Sequence, residues 1–233
     1  RLMKLRQSMA TTLNYPTYEA LQYESFGRDY SPQVALKAAQ VVKQVFVPLY
    51  TRMREDCEND LRYLSGASFQ EDAFLGTMSK ALERALPGAE EAWNYMLCYG
   101  LYDSVPSEKK LHGSFTTYIA SYECPFIFTQ WDGSASSLFT MIHEFGHFLS
   151  YYQNASGTYY GGENLDLAET DAQGLELMMG EEYEVLFGRH KSAARLCLLM
   201  NAVYAILSGF MEDEFQQRAY AMALPTVDKL NAL

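Results

Sequence analysis

Cysteine is scarce in this sequence, and the few cysteines are widely spaced. Four occur among 233 residues, at Cys57, Cys98, Cys124 and Cys197, and no two of them form a C-x-x-C pair. Disulfide-dense secreted domains and zinc ribbons both require closer and more regular cysteine spacing, so both classes are excluded. We expect free thiols in a reducing compartment and predict a cytoplasmic protein.

Basic residues are also few. Lys and Arg number 18 against 29 Asp and Glu, which gives a formal net charge of −11. Such an excess of negative charge repels a phosphate backbone, so nucleic acid is not an expected partner. Hydrophobic residues nonetheless make up 48% of the chain, which is enough to bury a sizeable core. The sequence is therefore that of an acidic globular protein.

Long uninterrupted apolar runs are absent as well. The most apolar run, Leu196–Met211, spans 16 residues and is interrupted by Asn201 and Ser208. A membrane-spanning helix requires about 20 predominantly apolar residues. We therefore predict a buried core helix at this position and no association with a membrane.

Helical patterning dominates what the sequence does contain. Ser31-Pro32 is typical of a helix start, and this helix is predicted to reach about Leu64, with a kink or break at Pro48. Aromatic and β-branched residues predict two strands, at Ser114–Ile119 and Pro125–Trp131. Further helices are predicted at about 70–86, 89–97, 136–154, 165–179 and 192–222. The predicted fold class is therefore mainly α with one small antiparallel β-sheet.

The segment His143-Glu144-Phe145-Gly146-His147 matches the pattern H-E-x-x-H. Residues four apart on a helix differ by about 40° in direction and about 6 Å in height, so two imidazoles can converge on one ion. The glutamate after the first histidine then lies beside the ion, where it can take a proton from a metal-bound water. The pattern predicts a catalytic zinc site with His143 and His147 as ligands and Glu144 as general base.

The helix that carries this motif is predicted to have one apolar side. Its apolar residues recur at steps of four and three, which places them on one stripe that we expect to face the core. The two histidines and the glutamate of the motif fall on the opposite side, so the helix is predicted to form the floor of a cleft. The stripe consists of Leu138, Ile142, Phe145, Leu149 and Tyr152.

A zinc site of this type needs a third protein ligand. Between Tyr151 and Gly188 there are eight acidic residues and no Lys or Arg, an asymmetry that a cation site would explain. Spacing favours Glu169, which follows His147 by 22 positions and leaves room for a loop and a second helix. The other candidates are Glu163, Asp166, Asp171 and Glu176.

The residues around Glu169 have predicted supporting roles. Ala168 and Ala172 flank it, and small side chains at these positions let two helices approach closely. Gln173 and Glu176 lie on the same predicted helix and are candidates to orient a ligand histidine by hydrogen bonding. A solvated acidic helix is the alternative interpretation of this segment.

Several segments together resemble a known family. FTMIHEFGHFLSYY and the later AETDAQGLEL resemble the zinc metallopeptidases of the oligoendopeptidase F and thimet oligopeptidase family. GSFTTYIASYECPFIF is similar to the family's strand pair, and FMEDEFQQRAYA and DYSPQVALKAAQVVKQVFVPLY are similar to two of its helices. The resemblance touches nearly the whole chain and implies a zincin-like helical catalytic domain with the small sheet beside the active-site helix.

The resemblance also implies roles for individual residues. The family's third zinc ligand matches Glu169, in agreement with the spacing. The strand led by Gly113, Ser114 and Phe115 is implied to pair with an extended peptide substrate through its backbone, and an ordinary edge strand is the alternative. Ala172 departs from the family, which usually has Ser at this position.

Four further residues have weaker predictions. Tyr159 and Tyr160 lie in a glycine-flanked loop after the zinc helix, where they either close over substrate or pack the loop, with packing slightly favoured. The two histidines outside the motif are not expected to bind metal. His112 is predicted to be a loop residue and His190 a surface residue.

Residues 1–233 are expected to form a single, partial catalytic domain, because the family's N-terminal region and its C-terminal substrate-binding residues do not appear in the sequence. The predicted function is a zinc-dependent endopeptidase that cleaves oligopeptides, with one Zn²⁺ per chain and a peptide substrate as partner. The alternatives are a catalytically incomplete zinc-binding fragment or scaffold remnant, and a related zinc carboxypeptidase. The sequence predicts neither cleavage preference nor oligomeric state.

Overall fold

The structure is a computed structural model, and it describes residues 1–154, 165–222 and 225–233. It is 72% helical with one small three-stranded sheet, so the predicted mainly α class is confirmed. The strands are β1 Tyr102–Asp103, β2 Phe115–Ile119 and β3 Cys124–Phe128. The helices are α1 Leu2–Thr12, α2 Tyr18–Ser25, α3 Pro32–Asp56, α4 Glu58–Ser65, α5 Glu71–Ala85, α6 Ala89–Tyr99, α7 Ala135–Gln153, α8 Leu165–Met179, α9 Tyr183–Phe187, α10 Lys191–Ala221 and α11 Val227–Asn231.

The chain divides into two compact units. One comprises residues 1–55 together with 200–233, and the other comprises residues 56–199. The second unit contains the whole sheet and the H-E-x-x-H motif. The expectation of a single catalytic domain over residues 1–233 stays a prediction.

The sheet has the strand order β1-β3-β2. β2 and β3 are antiparallel, with Phe115 opposite Phe128 and Ile119 opposite Cys124, as the sequence predicts. β1 lies parallel to β3 on its other side and was not predicted, because two residues are too few to show the alternation of a strand. β2 is therefore at one edge of this sheet.

Helix α7 begins at Ala135 because the residues before it satisfy its first backbone groups. Ser134 is the N-cap, and its side chain accepts a hydrogen bond from the backbone N–H of Ser137. Asp132 also contributes, since its Oδ1 accepts hydrogen bonds from the N–H of Ser134 at 2.9 Å and the hydroxyl of Ser137 at 2.6 Å. The start of the motif helix is thereby fixed two turns before His143.

The predicted apolar stripe of α7 lies in the core, with one exception. Leu138, Ile142 and Phe145 are fully buried, and the ring of Phe145 meets Trp93 edge-on at a centroid distance of 4.9 Å. The expectation for Tyr152 was wrong, because this residue is 39% exposed near the end of the helix. Neighbours cover α7 on several sides, so its buried surface is wider than one stripe.

Of the kink or break predicted at Pro48, the break was wrong. Helix α3 runs through Pro48 and ends at Asp56, and the interruption before α4 comes at Cys57. Proline removes one helix hydrogen bond, but Pro48 is exposed, so water can reach the backbone carbonyl of Gln44 that loses its partner. The end of α4 at Ser65-Gly66 agrees with the prediction.

The apolar run Leu196–Met211 is less buried than expected. It forms part of α10, where Leu198, Met200 and Leu207 are buried but Tyr204 and Met211 are 56% and 52% exposed. By length and composition, one helix within Leu167–Ala221 is apolar enough to cross a membrane, which is weak evidence by itself. Only 22% of that apolar window is buried. This helix carries apolar side chains on all of its sides, but its described neighbours cover only some of them. The apolar character of the run was therefore not enough to predict its burial.

Candidate metal centre

The two histidines of the motif lie one turn apart on α7, with ring centroids 4.9 Å apart. Glu169, on α8, faces both of them. Its Oε2 lies 3.3 Å from Nε2 of His143, and its Oε1 lies 3.7 Å from Nε2 of His147. The structure therefore brings together the three residues that were predicted to be metal ligands.

These separations fit a single zinc ion. Zn–N and Zn–O bonds of about 2.0–2.1 Å in a tetrahedron place neighbouring ligand atoms about 3.3–3.4 Å apart. One potential ligand atom from each of His143, His147 and Glu169 lies within 4.8 Å of the others. The two nitrogen–oxygen distances are close to the tetrahedral value, and two imidazoles with one carboxylate match a donor set of catalytic zinc sites.

The two helices hold these side chains together by a close crossing. Gly146 on α7 faces Ala172 on α8, and Ala172 is fully buried. One turn further along α7, the hydroxyl of Ser150 donates a 2.6 Å hydrogen bond to Oδ2 of Asp171. Asp171, an alternative third ligand in the sequence analysis, thus ties the helices together and leaves Glu169 facing the histidines.

Glu176 occupies the other side of the first histidine. Its Oε1 lies 2.6 Å from Nδ1 of His143, which leaves Nε2 of that ring free to face Glu169. A carboxylate at this position fixes the ring orientation and the tautomer of a metal ligand. Gln173, the other candidate for this role, is exposed, and within the described parts of the chain no hydrogen bond joins it to either histidine.

The acidic neighbours also affect the charge of His143. Burial acts to lower the pKa of His143, but the hydrogen bond and negative charge of Glu176 oppose it, together with the charges of Glu169 and Glu144. The acidic groups prevail, so the pKa of His143 lies above its ordinary value. The acidic groups around His143 therefore favour a positive charge on its ring, and the same groups would attract a bound cation.

Glu144 is 6% exposed, beside the two histidines. Burial raises the pKa of Glu144, and the hydroxyl of Thr116 and the charges of His143 and His147 offset only part of that rise. The hydroxyl of Thr116 lies 2.8 Å from Oε2 of Glu144. A buried carboxylate with a raised pKa next to a candidate metal centre is suited to accept a proton.

Comparison with known proteins places this arrangement in a recognised fold. Over 99 residues, 42% of this chain and 14% of the relative, the sequence is 32% identical to oligopeptidase PepF of Bacillus subtilis (strain 168). A crystal structure assigned as an oligoendopeptidase F from Bacillus anthracis str. Ames superposes with a TM-score of 0.86 at 21% identity, over 99% of this chain and 46% of that one. Pz peptidase A gives a TM-score of 0.80 at 23% identity, over 99% and 43% of the two chains.

The predicted resemblance to the oligoendopeptidase F family is confirmed. The solved structures establish the fold over nearly all of this chain, and PepF adds sequence similarity over part of it. No family model matches the sequence. The chain spans less than half the length of the oligoendopeptidase F and Pz peptidase structures, and the matched segment of PepF is 14% of that protein.

Within the oligoendopeptidase F fold, the predicted substrate-binding strand is partly exposed. Gly113 has a φ of +128°, a conformation that favours glycine, and precedes β2. Ser114 forms a 2.7 Å hydrogen bond with Thr129, and the exposed ring of Phe115 stacks on Phe128 at 5.0 Å. Their proposed contact with substrate stays a prediction.

The other predicted residues lie elsewhere. Tyr159, Tyr160 and Glu163 fall outside the described residues, as does the side chain of Asp166. The expectation that His190 is a surface residue was wrong: it is 8% exposed, and its ring lies 4.4 Å from that of Tyr63. The short segment GRHK is polar, but a 3₁₀ turn directs this histidine towards aromatic neighbours.

Thr116 is the site residue that sequence reasoning missed. Its position in β2 places it on the opposite face of the strand from Phe115. The alternation of exposed and partly covered residues along β2 agrees with this placement of Thr116 and Phe115 on opposite faces. The sequence did not show which face would lie against α7, because that depends on how the sheet packs.

Proposed function

We propose that this chain is the zinc-binding catalytic part of a metalloendopeptidase that hydrolyses peptide bonds in oligopeptides. The observation that carries the proposal is the convergence of His143, His147 and Glu169, with the buried carboxylate of Glu144 beside them. A structural zinc site has four protein ligands and no use for a base. Three converging ligands with an adjacent carboxylate support a catalytic centre instead.

The side chains have distinct tasks in this proposal. His143 and His147 would hold zinc through Nε2, and Glu169 through its carboxylate. When bound in such a site, zinc polarises a carbonyl oxygen and lowers the pKa of a water ligand to about 7. Glu144 accepts the proton of the attacking water at its carboxylate and passes it to the nitrogen of the leaving amine. Glu176 keeps the imidazole of His143 oriented by accepting its Nδ1–H.

The sheet supplies the surface on which the proposed substrate would lie. β2 is an edge strand, and an extended peptide can add to such an edge through main-chain hydrogen bonds. The peptide would then lie across the face of α7 that carries the motif, since Thr116 of β2 contacts Glu144 of α7. We propose oligopeptides as substrates, supported by the similarity to PepF, which is named an oligopeptidase.

The proposal is tested by zinc content and peptide cleavage measured on the same preparations. The substrate is an internally quenched oligopeptide with both termini blocked, which an endopeptidase cleaves and a carboxypeptidase does not. We expect wild type to bind one zinc per chain and to cleave. Glu144→Gln should retain zinc and lose cleavage, whereas Glu169→Gln should lose both. Glu181→Gln removes an exposed acidic group outside the site and serves as the control.

Each outcome separates the candidate functions. Cleavage only of peptides with a free C-terminus supports the carboxypeptidase alternative. Zinc binding without cleavage by wild type supports the alternative of a catalytically incomplete fragment. Absence of zinc binding in wild type contradicts the metal site itself. A cytoplasmic location, and the absence of nucleic acid and membrane partners, remain part of the proposal.

A further inference from the structure

One hydroxyl on the sheet contacts the candidate general base at two points. Oγ1 of Thr116 lies 2.8 Å from Oε2 of Glu144 and also 2.8 Å from the backbone carbonyl oxygen of the same residue. The hydroxyl proton is shared between these two acceptors. A threonine on β2 thereby joins the carboxylate and the backbone of one residue on α7.

The position of Thr116 is itself well defined. Its backbone pairs with Ile127 of β3, which is fully buried. Tyr118, two residues along the same face of β2, has its ring centroid 6.2 Å from that of Tyr151 on α7. The Tyr118–Tyr151 contact directs the face of the strand that carries Thr116 at α7.

This contact holds the carboxylate of Glu144 from the side of the sheet. Among the described residues, the side-chain hydrogen bond to this carboxylate comes from Thr116. A glutamate side chain has several rotamers, and a base must be aligned within a fraction of an ångström to act efficiently. One directed hydrogen bond selects a single orientation from these alternatives.

We propose that Thr116 is a positioning residue that holds the carboxylate of Glu144 in the orientation required for proton transfer. The expected effect of Thr116 on catalysis rests on the proposed function. Its expected effect on the rotamer of Glu144 does not. Thr116 does not take part in bond making or breaking. Its hydroxyl orients the carboxylate of Glu144 and is not altered in the reaction.

Three variants of the full chain test this role. Thr116→Val keeps the branched shape and removes the hydroxyl, whereas Thr116→Ser keeps the hydroxyl and removes the methyl group. Thr117→Val makes the same chemical change on the exposed opposite face of β2 and is the matched control. Should Thr116→Val fail to fold, Thr116→Ala removes the hydroxyl without placing a second methyl group near the carboxylate.

The first readout does not depend on activity. In crystal structures of the metal-free chain, Glu144 should occupy one conformer in wild type, Thr116→Ser and Thr117→Val. In Thr116→Val its carboxylate should leave that position or occupy several. An unchanged Glu144 conformer in the variant without the hydroxyl overturns the proposal, whether or not the chain cleaves peptides.

The second readout is cleavage by the zinc-loaded chain. We expect Thr116→Val to reduce kcat by about 10–100-fold, with KM within about twofold and zinc content unchanged. Thr116→Ser should stay within about threefold of wild type. An equal loss of kcat in Thr116→Val and Thr116→Ser contradicts positioning by the hydroxyl. So does an equal loss of kcat in Thr116→Val and Thr117→Val. If wild type binds zinc without cleaving, the proposed activity fails for this chain, and the conformer of Glu144 alone decides the role of Thr116.

Discussion

Gly146 lies directly against Ala172 where helices α7 and α8 cross. A Cβ atom on Gly146 would stand 2.4 Å from Cα of Ala172 and 3.1 Å from its backbone nitrogen. Both atoms belong to the backbone, so no side-chain movement can relieve the overlap. Gly146 lies between Glu144 and His147 in the motif, so the crossing that requires glycine is also the one that brings Glu169 to the histidines.

Gly146→Ala should therefore damage the fold and the metal centre together. Overpacking of this kind costs about 1–3 kcal/mol, and separation of the helices should weaken zinc binding by moving Glu169 away from His143 and His147. The measurements are the free energy of unfolding of the metal-free chain and zinc affinity by competition with a chelator.

A matched glycine on the partner helix provides the control for this prediction. A Cβ atom on Gly174 of α8 meets nothing within 4 Å. Gly174→Ala should stabilise the chain by about 0.5–1 kcal/mol, because alanine is favoured over glycine inside a helix. If both substitutions have the same effect, close packing at Gly146 is not what holds the two helices together.

Glu176→Ala should weaken zinc binding although it leaves His143, His147 and Glu169 in place. The substitution leaves Nδ1 of His143 without the carboxylate that lies 2.6 Å away, so the ring loses its fixed orientation. Loss of such a partner lowers metal affinity by about 10–100-fold. Glu176→Gln keeps a hydrogen-bond acceptor and should have a smaller effect in the same chelator competition. Equal affinity in Glu176→Ala and wild type would show that this contact does not support the metal site.

The candidate metal site was largely predictable because its chemistry is local in sequence. The spacing of His143 and His147 determines their directions on one helix, and α7 was predicted to within a residue at each end. Glu169 was favoured by spacing together with family resemblance. The small size of Ala172 indicated close packing, but its partner Gly146 was identified only when the crossing of the two helices was known.

The features that were missed depend on which surfaces meet in three dimensions. Thr116 is one of two adjacent threonines, and only the packing of β2 on α7 shows which of them contacts Glu144. Burial was misjudged in both directions for the same reason. Tyr204 in the apolar run is 56% exposed, whereas His190 in a polar segment is 8% exposed.

The contrast between buried and exposed aromatic residues leads to a stability prediction. Phe145 is fully buried against Trp93, so Phe145→Ala should lower the free energy of unfolding by about 3–5 kcal/mol. Phe215 on α10 is 45% exposed, and Phe215→Ala should change it by no more than about 0.5 kcal/mol. Denaturant unfolding of the two variants measures both values. A large loss in Phe215→Ala would show that the exposed side of α10 is covered in solution.

Asp132 should make the stability of the chain depend on pH in the acid range. Hydrogen bonds from Ser134 and Ser137 lower the pKa of Asp132 to about 2, from an ordinary value of 3.8. Because the folded value is the lower one, the ionised carboxylate stabilises the fold above pH 3.8. This contribution is lost as the pH falls from 3.8 through about 2, because well below pH 2 the carboxylate is protonated in both the folded and the unfolded state.

Asp132→Asn removes this titration and isolates its effect. The difference in the free energy of unfolding between wild type and Asp132→Asn should be constant above about pH 5 and should shrink between about pH 5 and pH 2. Denaturant titrations at a series of pH values measure it. Asp56→Asn, which removes an exposed carboxylate at the end of α3, controls for the general effect of net charge. A difference that stays constant down to pH 2 would mean that Asp132 is not held as an ionised group at the start of α7, and that the motif helix begins without its help.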